Sequence, residues 1–168
     1  MNSLTINSVI RFVVLILTQV LIFNHVNFIG SVNPYPYILF ILLFPVNNNR
    51  PLFIFLSFML GLFVDLFSDS GGVHAAACVS IAFVRPPVLK FSFGMIYEHQ
   101  TIKFNNTEFG NRVIYFLILI FLHHLIAFSL EVFNISNILL ILKKTLFSSV
   151  FTLILCILIS VLFSNKQK

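Results

Sequence analysis

The chain has 168 residues, 59% of them hydrophobic and 9% charged, and its mean hydropathy is +1.04. A soluble domain of this length cannot cover so much apolar surface, so a water-soluble globule is excluded and lipid must be part of the solvent. The formal charge of +5 does not argue for nucleic acid, because the basic residues are scattered through the turns between apolar runs, where membrane topology accounts for them.

Taken in chain order, the apolar runs predict a single all-α integral membrane domain, a polytopic bundle of about six transmembrane helices. The first covers 8–23. It has the weak positive start of a signal peptide at Arg11, but "NHVNF" follows without a small-x-small cleavage site, so we read an uncleaved span. The second, 35–46, is short and bounded by Pro34, Pro36 and Pro45. Like the fourth it falls below the roughly 20 residues a bilayer asks for, which leaves open a tilt, an extension by flanking residues, or shielding by neighbouring helices. The turn "NNNR" leads to the third, 51–67, with Pro51 suited to a first helical position. The fourth follows "SDSGG" and covers 73–84, where "RPP" is expected to stop it and open a cytoplasmic loop over 85–112. The fifth covers 113–133 and the sixth 139–163. Cys78 and Cys156 both fall inside apolar runs and read as small buried hydrophobes, not as a disulfide.

Charge predicts the orientation. The turns at 24–34 and 68–72 lack Lys and Arg, whereas the alternate segments carry Arg50, then Arg85, Lys90, Lys103 and Arg112, then Lys166 and Lys168. That alternation places both termini in the cytoplasm. Lys143 and Lys144 break the pattern and are expected to snorkel to the headgroups on the outer side.

The few polar residues inside the apolar runs are the candidate functional groups. Ser57, Gly61 and Asp65 share a helix face at i, i+4, i+8, and the small residues there allow another helix close approach. Asp65 lies roughly 6 Å of helix rise from Asp69. It reads either as a polar contact paired with His74 across the turn, or as an interfacial acid that reaches water or caps the next helix, as Asp69 or Ser70 would. His123 and His124 lie about 16 Å of rise beyond Arg112, near the bilayer midplane, and Glu131 shares the His124 face. Adjacent histidines point about 100° apart on a helix and make a poor metal pair, so we expect interhelical hydrogen bonds there rather than a proton relay or metal site. Thr145, Ser149, Thr152, Cys156 and Ser160 form a small, weakly polar stripe on the last helix, available for packing within the fold or between subunits. No H-E-x-x-H, G-x-S-x-G or Walker sequence occurs, and Glu98, His99 and Glu108 sit in a polar stretch without a clustered catalytic set. We therefore expect no enzyme, no catalytic residue, no metal and no cofactor.

The stretch "LSFMLGLFVDLFSDSGGVHAAACVSIAFVRP" (56–86) resembles the rod shape-determining protein MreD family. It carries that family's G-x-x-x-D-x-x-S helix end at Gly61, Asp65 and Ser68, a turn with Gly71 and Gly72, and an alanine-rich next helix. "LHHLIAFSLEVFNISN" (122–137) is similar to the form taken in one bacterial branch, and size and span number fit over the whole chain. The resemblance implies a non-enzymatic scaffold of the bacterial inner (cytoplasmic) membrane that serves cell elongation and peptidoglycan synthesis. Its implied partners are MreC and, through it, the MreB filament system, RodA and the transpeptidase partner of RodA, with a homodimer as a further option. The implied fold is that of the substrate-binding components of vitamin uptake transporters. A second reading, a small-molecule-binding subunit of a membrane transporter, would use Asp65, His74 and His124 as pocket groups.

Overall fold

In lipid an apolar run must satisfy its own backbone, and a helix does so within a single segment. The computed structural model describes residues 3–25, 33–46, 49–94 and 107–162. Within them lie six α-helices and no strand: α1 Ser3–Leu21, α2 Leu39–Leu43, α3 Arg50–Ser68, α4 Val73–Phe93, α5 Phe109–Val132 and α6 Ile138–Leu162. Helices α3 to α6 are each long and apolar enough to cross a membrane, and α1 contributes a shorter apolar stretch, Ser8–Leu21. The chain is thus the all-α membrane bundle its composition demands.

Chain neighbours pack in order, α3 on α4, α4 on α5 and α5 on α6, with α1 against α3. Arg11 Nη1 donates to the Leu43 carbonyl, and Asn24 Nδ2 donates to Ser68 Oγ, so α1 runs parallel to α3. The bundle therefore has two distinct ends. One gathers Arg11, Arg50, Arg85 and Arg112; the other gathers Asp65, Asp69, Glu131 and Lys144.

The α3–α4 connection is the tightest. Asp69 closes α3 in the left-handed region at φ 52°, and Gly71 and Gly72 follow at φ 64° and 95°, values that cost a side-chain-bearing residue energy. Gly61 completes the crossing, because a Cβ built there would lie 2.5 Å from both the His74 carbonyl oxygen and the Ala75 Cα. The face of Ser57, Gly61 and Asp65 is consumed inside the chain by α4, with all three buried.

Three boundaries differ from expectation. The second span is shorter than the predicted 35–46 helix and takes the shielded alternative: a 3-10 turn, Pro36–Ile38, leads into the five residues of α2. At roughly 2.0 and 1.5 Å per residue these reach about 13 Å, well short of a hydrocarbon core of about 30 Å. Tyr37, Ile38, Ile41 and Leu42 are fully buried, so the segment is a central pillar surrounded by the other helices. Second, α4 does not stop at "RPP" but continues through Pro86 and Pro87 to Phe93, ending at Gly94 with φ 54°. The prolines supply no N–H to the carbonyls of Ala82 and Phe83, and the Phe83 carbonyl instead accepts from Arg50 Nη2 at 3.4 Å. Third, α5 begins at Phe109, so the connection predicted for 85–112 is confined to 95–108, most of it outside the described residues.

Candidate functional site

The pillar is where the polar residues converge. Its prolines and short helix leave backbone groups without helical partners at membrane depth, which is tolerable only where protein supplies those partners. Each surrounding helix reaches it. From α6, Thr152 Oγ1 accepts the Tyr35 N–H at 3.0 Å and Ser148 Oγ accepts the Asn33 N–H at 3.3 Å. From α1, Gln19 Nε2 donates to the Pro34 carbonyl at 3.4 Å. At the other end the Leu42 carbonyl accepts from Tyr115 of α5 at 3.1 Å and from Arg85 of α4 at 3.3 Å, and Arg85 Nη2 also meets the Phe44 carbonyl. Phe12 of α1 packs edge-on against Phe40, and Phe53 of α3 lies tilted by 30° against Phe44, ring centroids 4.8 Å apart.

Asp65 is resolved in favour of capping. Its carboxylate accepts the His74 N–H at 2.9 Å, the Ala75 N–H at 2.8 Å and the Ser70 hydroxyl at 2.5 Å. The first residues of α4 have backbone N–H groups without intrahelical carbonyls, and Gly72 at the cap position has no side chain to offer. Asp65 fills that role from the preceding helix, near the positive end of the α4 dipole. Asp69 stays exposed and takes no part in the cap, and Ser70 bonds Asp65 instead of capping the helix itself. His74 meets Asp65 only through its backbone.

The His74 ring turns inward. Tyr37 Oη lies 2.9 Å from His74 Nδ1 and 2.8 Å from His123 Nε2, with Cys78 Sγ 3.9 Å from the same His123 nitrogen. The tyrosine has one proton, so it donates to one imidazole and accepts from the other. His124 points elsewhere, as the angular offset of adjacent residues requires. Its Nδ1 donates to the Ile120 carbonyl at 2.8 Å, which can only accept, so its Nε2 accepts from the Thr152 hydroxyl at 3.2 Å. A directed chain results, from the Tyr35 N–H to Thr152 to His124 to the α5 backbone. The Tyr35 ring stacks on His124 at 5.1 Å and meets His74 edge-on at 4.9 Å.

The remaining expected residues separate. Glu131 does not join His124; it is exposed and pairs with Lys144 at 3.0 Å, which explains one of the two lysines that broke the charge pattern. The α6 stripe of Thr145, Ser149, Thr152, Cys156 and Ser160 is buried and faces into the bundle. Thr145 Oγ1, Ser149 Oγ and His123 Nδ1 have no hydrogen-bond partner among the described residues. Cys78 and Cys156 are free and fully buried. Among the described residues no three His, Cys, Asp or Glu groups gather as a metal site. Tyr35, Tyr37, Arg85 and Tyr115 belong to the polar core, and sequence reading did not single them out. The only signals were "NPYPY", where Tyr35 stands between two prolines and Tyr37 follows them into an apolar run, and an arginine immediately before a proline pair.

A cavity of about 170 Å³ lies at the arginine-rich end, lined by Pro45, Arg50, Phe53, Arg85, Pro86 and Leu89 among others. None of the three buried histidines or of Tyr35 and Tyr37 lines it. Comparison with known proteins finds no family model, no curated protein and no solved structure that matches this chain.

Proposed function

We propose that this protein is a non-enzymatic scaffold of the bacterial inner membrane, acting in cell elongation as members of the MreD family do. The observation that carries the reading is the use of the intramembrane polar side chains. Asp65, Thr152, Arg85 and Tyr115 each bond backbone groups that the turn or the pillar leaves unpaired, and such groups organise a fold rather than turn over a substrate. The resemblance of 56–86 and 122–137 supplies the identity of the proposed partners, MreC first, and through it MreB, RodA and the transpeptidase. Since α4 covers the Gly61 face, a partner span must meet an outward face of the bundle. The arginine-rich end faces the cytoplasm in this proposal, by the positive-inside bias.

The test is isolation of the tagged full chain from its native membranes in mild detergent, after crosslinking in living cells. Recovery of an MreC-type bitopic protein supports the scaffold, and its consistent absence sinks it. The transporter reading is favoured by the cavity beside Arg50 and Arg85, and solute accumulation in vesicles holding the purified chain would establish it in place of the scaffold.

A further inference from the structure

The cavity between α3, α4 and the residues that follow α2 contains two arginines with unused donors. Arg85 is buried at 4% exposure, with Nε bonded to the Tyr115 hydroxyl at 2.7 Å and Nη2 directed to the Leu42 and Phe44 carbonyls. Its Nη1 has no hydrogen-bond partner among the described residues. The acceptors it does have are neutral and its guanidinium carbon lies 4.9 Å over the Phe53 ring, so its charge meets carbonyl dipoles, a hydroxyl and a ring face but no anion among the described residues. Arg50 stands exposed at the rim, held over the Phe83 ring at 5.3 Å. Neither arginine pairs with a carboxylate among the described residues, and both line the same space.

The walls contributed by Phe53, Pro86 and Leu89 are apolar. A volume of about 170 Å³ is below the roughly 300 Å³ at which pockets for drug-sized ligands begin, yet it equals several water volumes. Planar guanidinium groups match tetrahedral oxyanions with paired donors, and an apolar wall suits the glycerol and upper acyl carbons beside a headgroup. We propose that this cavity is a phosphate-binding site, with Arg85 at its base and Arg50 at its mouth. The phosphate belongs either to an anionic phospholipid headgroup or to a small phosphate solute. The site depends on no protein partner.

The experiment is native mass spectrometry of the full chain in detergent micelles. The probes are phosphatidylglycerol, the phosphate-free diacylglycerol with the same acyl chains, and inorganic phosphate. The wild type is expected to retain phosphatidylglycerol about ten-fold better than diacylglycerol, as one charge-assisted contact predicts. Arg50→Gln abolishes that preference, Arg50→Lys recovers part of it, and Lys90→Gln, at an exposed position outside the cavity, leaves it unchanged. Displacement of the lipid by millimolar inorganic phosphate assigns the site to solute phosphate, and resistance to displacement assigns it to the headgroup; both outcomes uphold a phosphate site. Equal retention of the two lipids, or equal losses in Arg50→Gln and Lys90→Gln, overturns it. Arg50 is exposed, so its variants are expected to match the wild type in elution and melting temperature, and a variant that does not is replaced in the comparison by Arg50→Lys.

Discussion

The Asp65 carboxylate reaches across the α3–α4 turn and holds the first N–H groups of α4, those of His74 and Ala75, at 2.9 and 2.8 Å. One side chain thereby joins the end of one span to the start of the next, and it fixes where the His74 ring enters the core.

Asp65→Ala is expected to lower stability by about 2–4 kcal/mol, since two backbone donors and the Ser70 hydroxyl lose a charged acceptor together. Asp65→Asn keeps one accepting oxygen and should fall between the two. Thermal unfolding in detergent, followed by loss of the monodisperse elution peak, measures both. A melting temperature for Asp65→Ala equal to that of wild type would remove the cap from the account.

Gly61→Ala places a methyl group against the α4 backbone, which is rigid, so overpacking of about 1–3 kcal/mol follows. Gly110 in the first turn of α5 has nothing within 4 Å of an added Cβ, and Gly110→Ala should be neutral or gain up to about 1 kcal/mol. The two substitutions measured side by side separate steric clash from helix propensity. Similar effects of the two would show that α3 and α4 do not cross at Gly61.

Thr152→Val strips the acceptor of the Tyr35 N–H and the donor to His124 while preserving shape, and should cost about 1–3 kcal/mol. Combined with His124→Leu, the loss should be clearly less than the sum, because both members belong to one chain of bonds. Strict additivity would contradict the directed chain. Glu131→Gln, which breaks an exposed ion pair with Lys144, is the contrast: it should cost at most about 1 kcal/mol and less at high salt.

Tyr115→Phe removes the hydroxyl that accepts from Arg85 and donates to the Leu42 carbonyl, for an expected loss of about 1–3 kcal/mol. Arg85→Lys should not rescue the wild-type stability, because a single ammonium cannot span Tyr115, Leu42 and Phe44 as the guanidinium does. Melting curves equal to wild type for the Lys variant would mean that charge alone, without the fork, anchors the pillar.

Cys78 and Cys156 are at 0% exposure and should resist a membrane-permeant maleimide in the folded protein, then label fully in denaturing detergent. Rapid labelling of either in the native state would show that its helix does not face inward.

Composition and run length alone fixed the membrane class, the all-α fold and the approximate positions of the four long spans, because lipid imposes one length and one periodicity on any crossing helix. Of the small-residue faces, the one at Gly61 lies against the α4 backbone and the α6 stripe is buried. Helix ends that depended on distant partners were not legible. Pro86 and Pro87 read as a stop, yet α4 passes through them, and Arg50, on another helix, donates to one of the two carbonyls they leave free. The second span read as too short for a plain crossing, with shielding one of three alternatives; what the sequence did not show is that its unpaired backbone groups are satisfied by Gln19, Arg85, Tyr115 and Thr152. Those four residues are 15 to 117 positions away from their partners in the chain only by accident of topology; what unites them is that unpaired backbone in a hydrocarbon environment must find donors and acceptors wherever the folded bundle brings them, and only the tertiary arrangement decides which ones arrive.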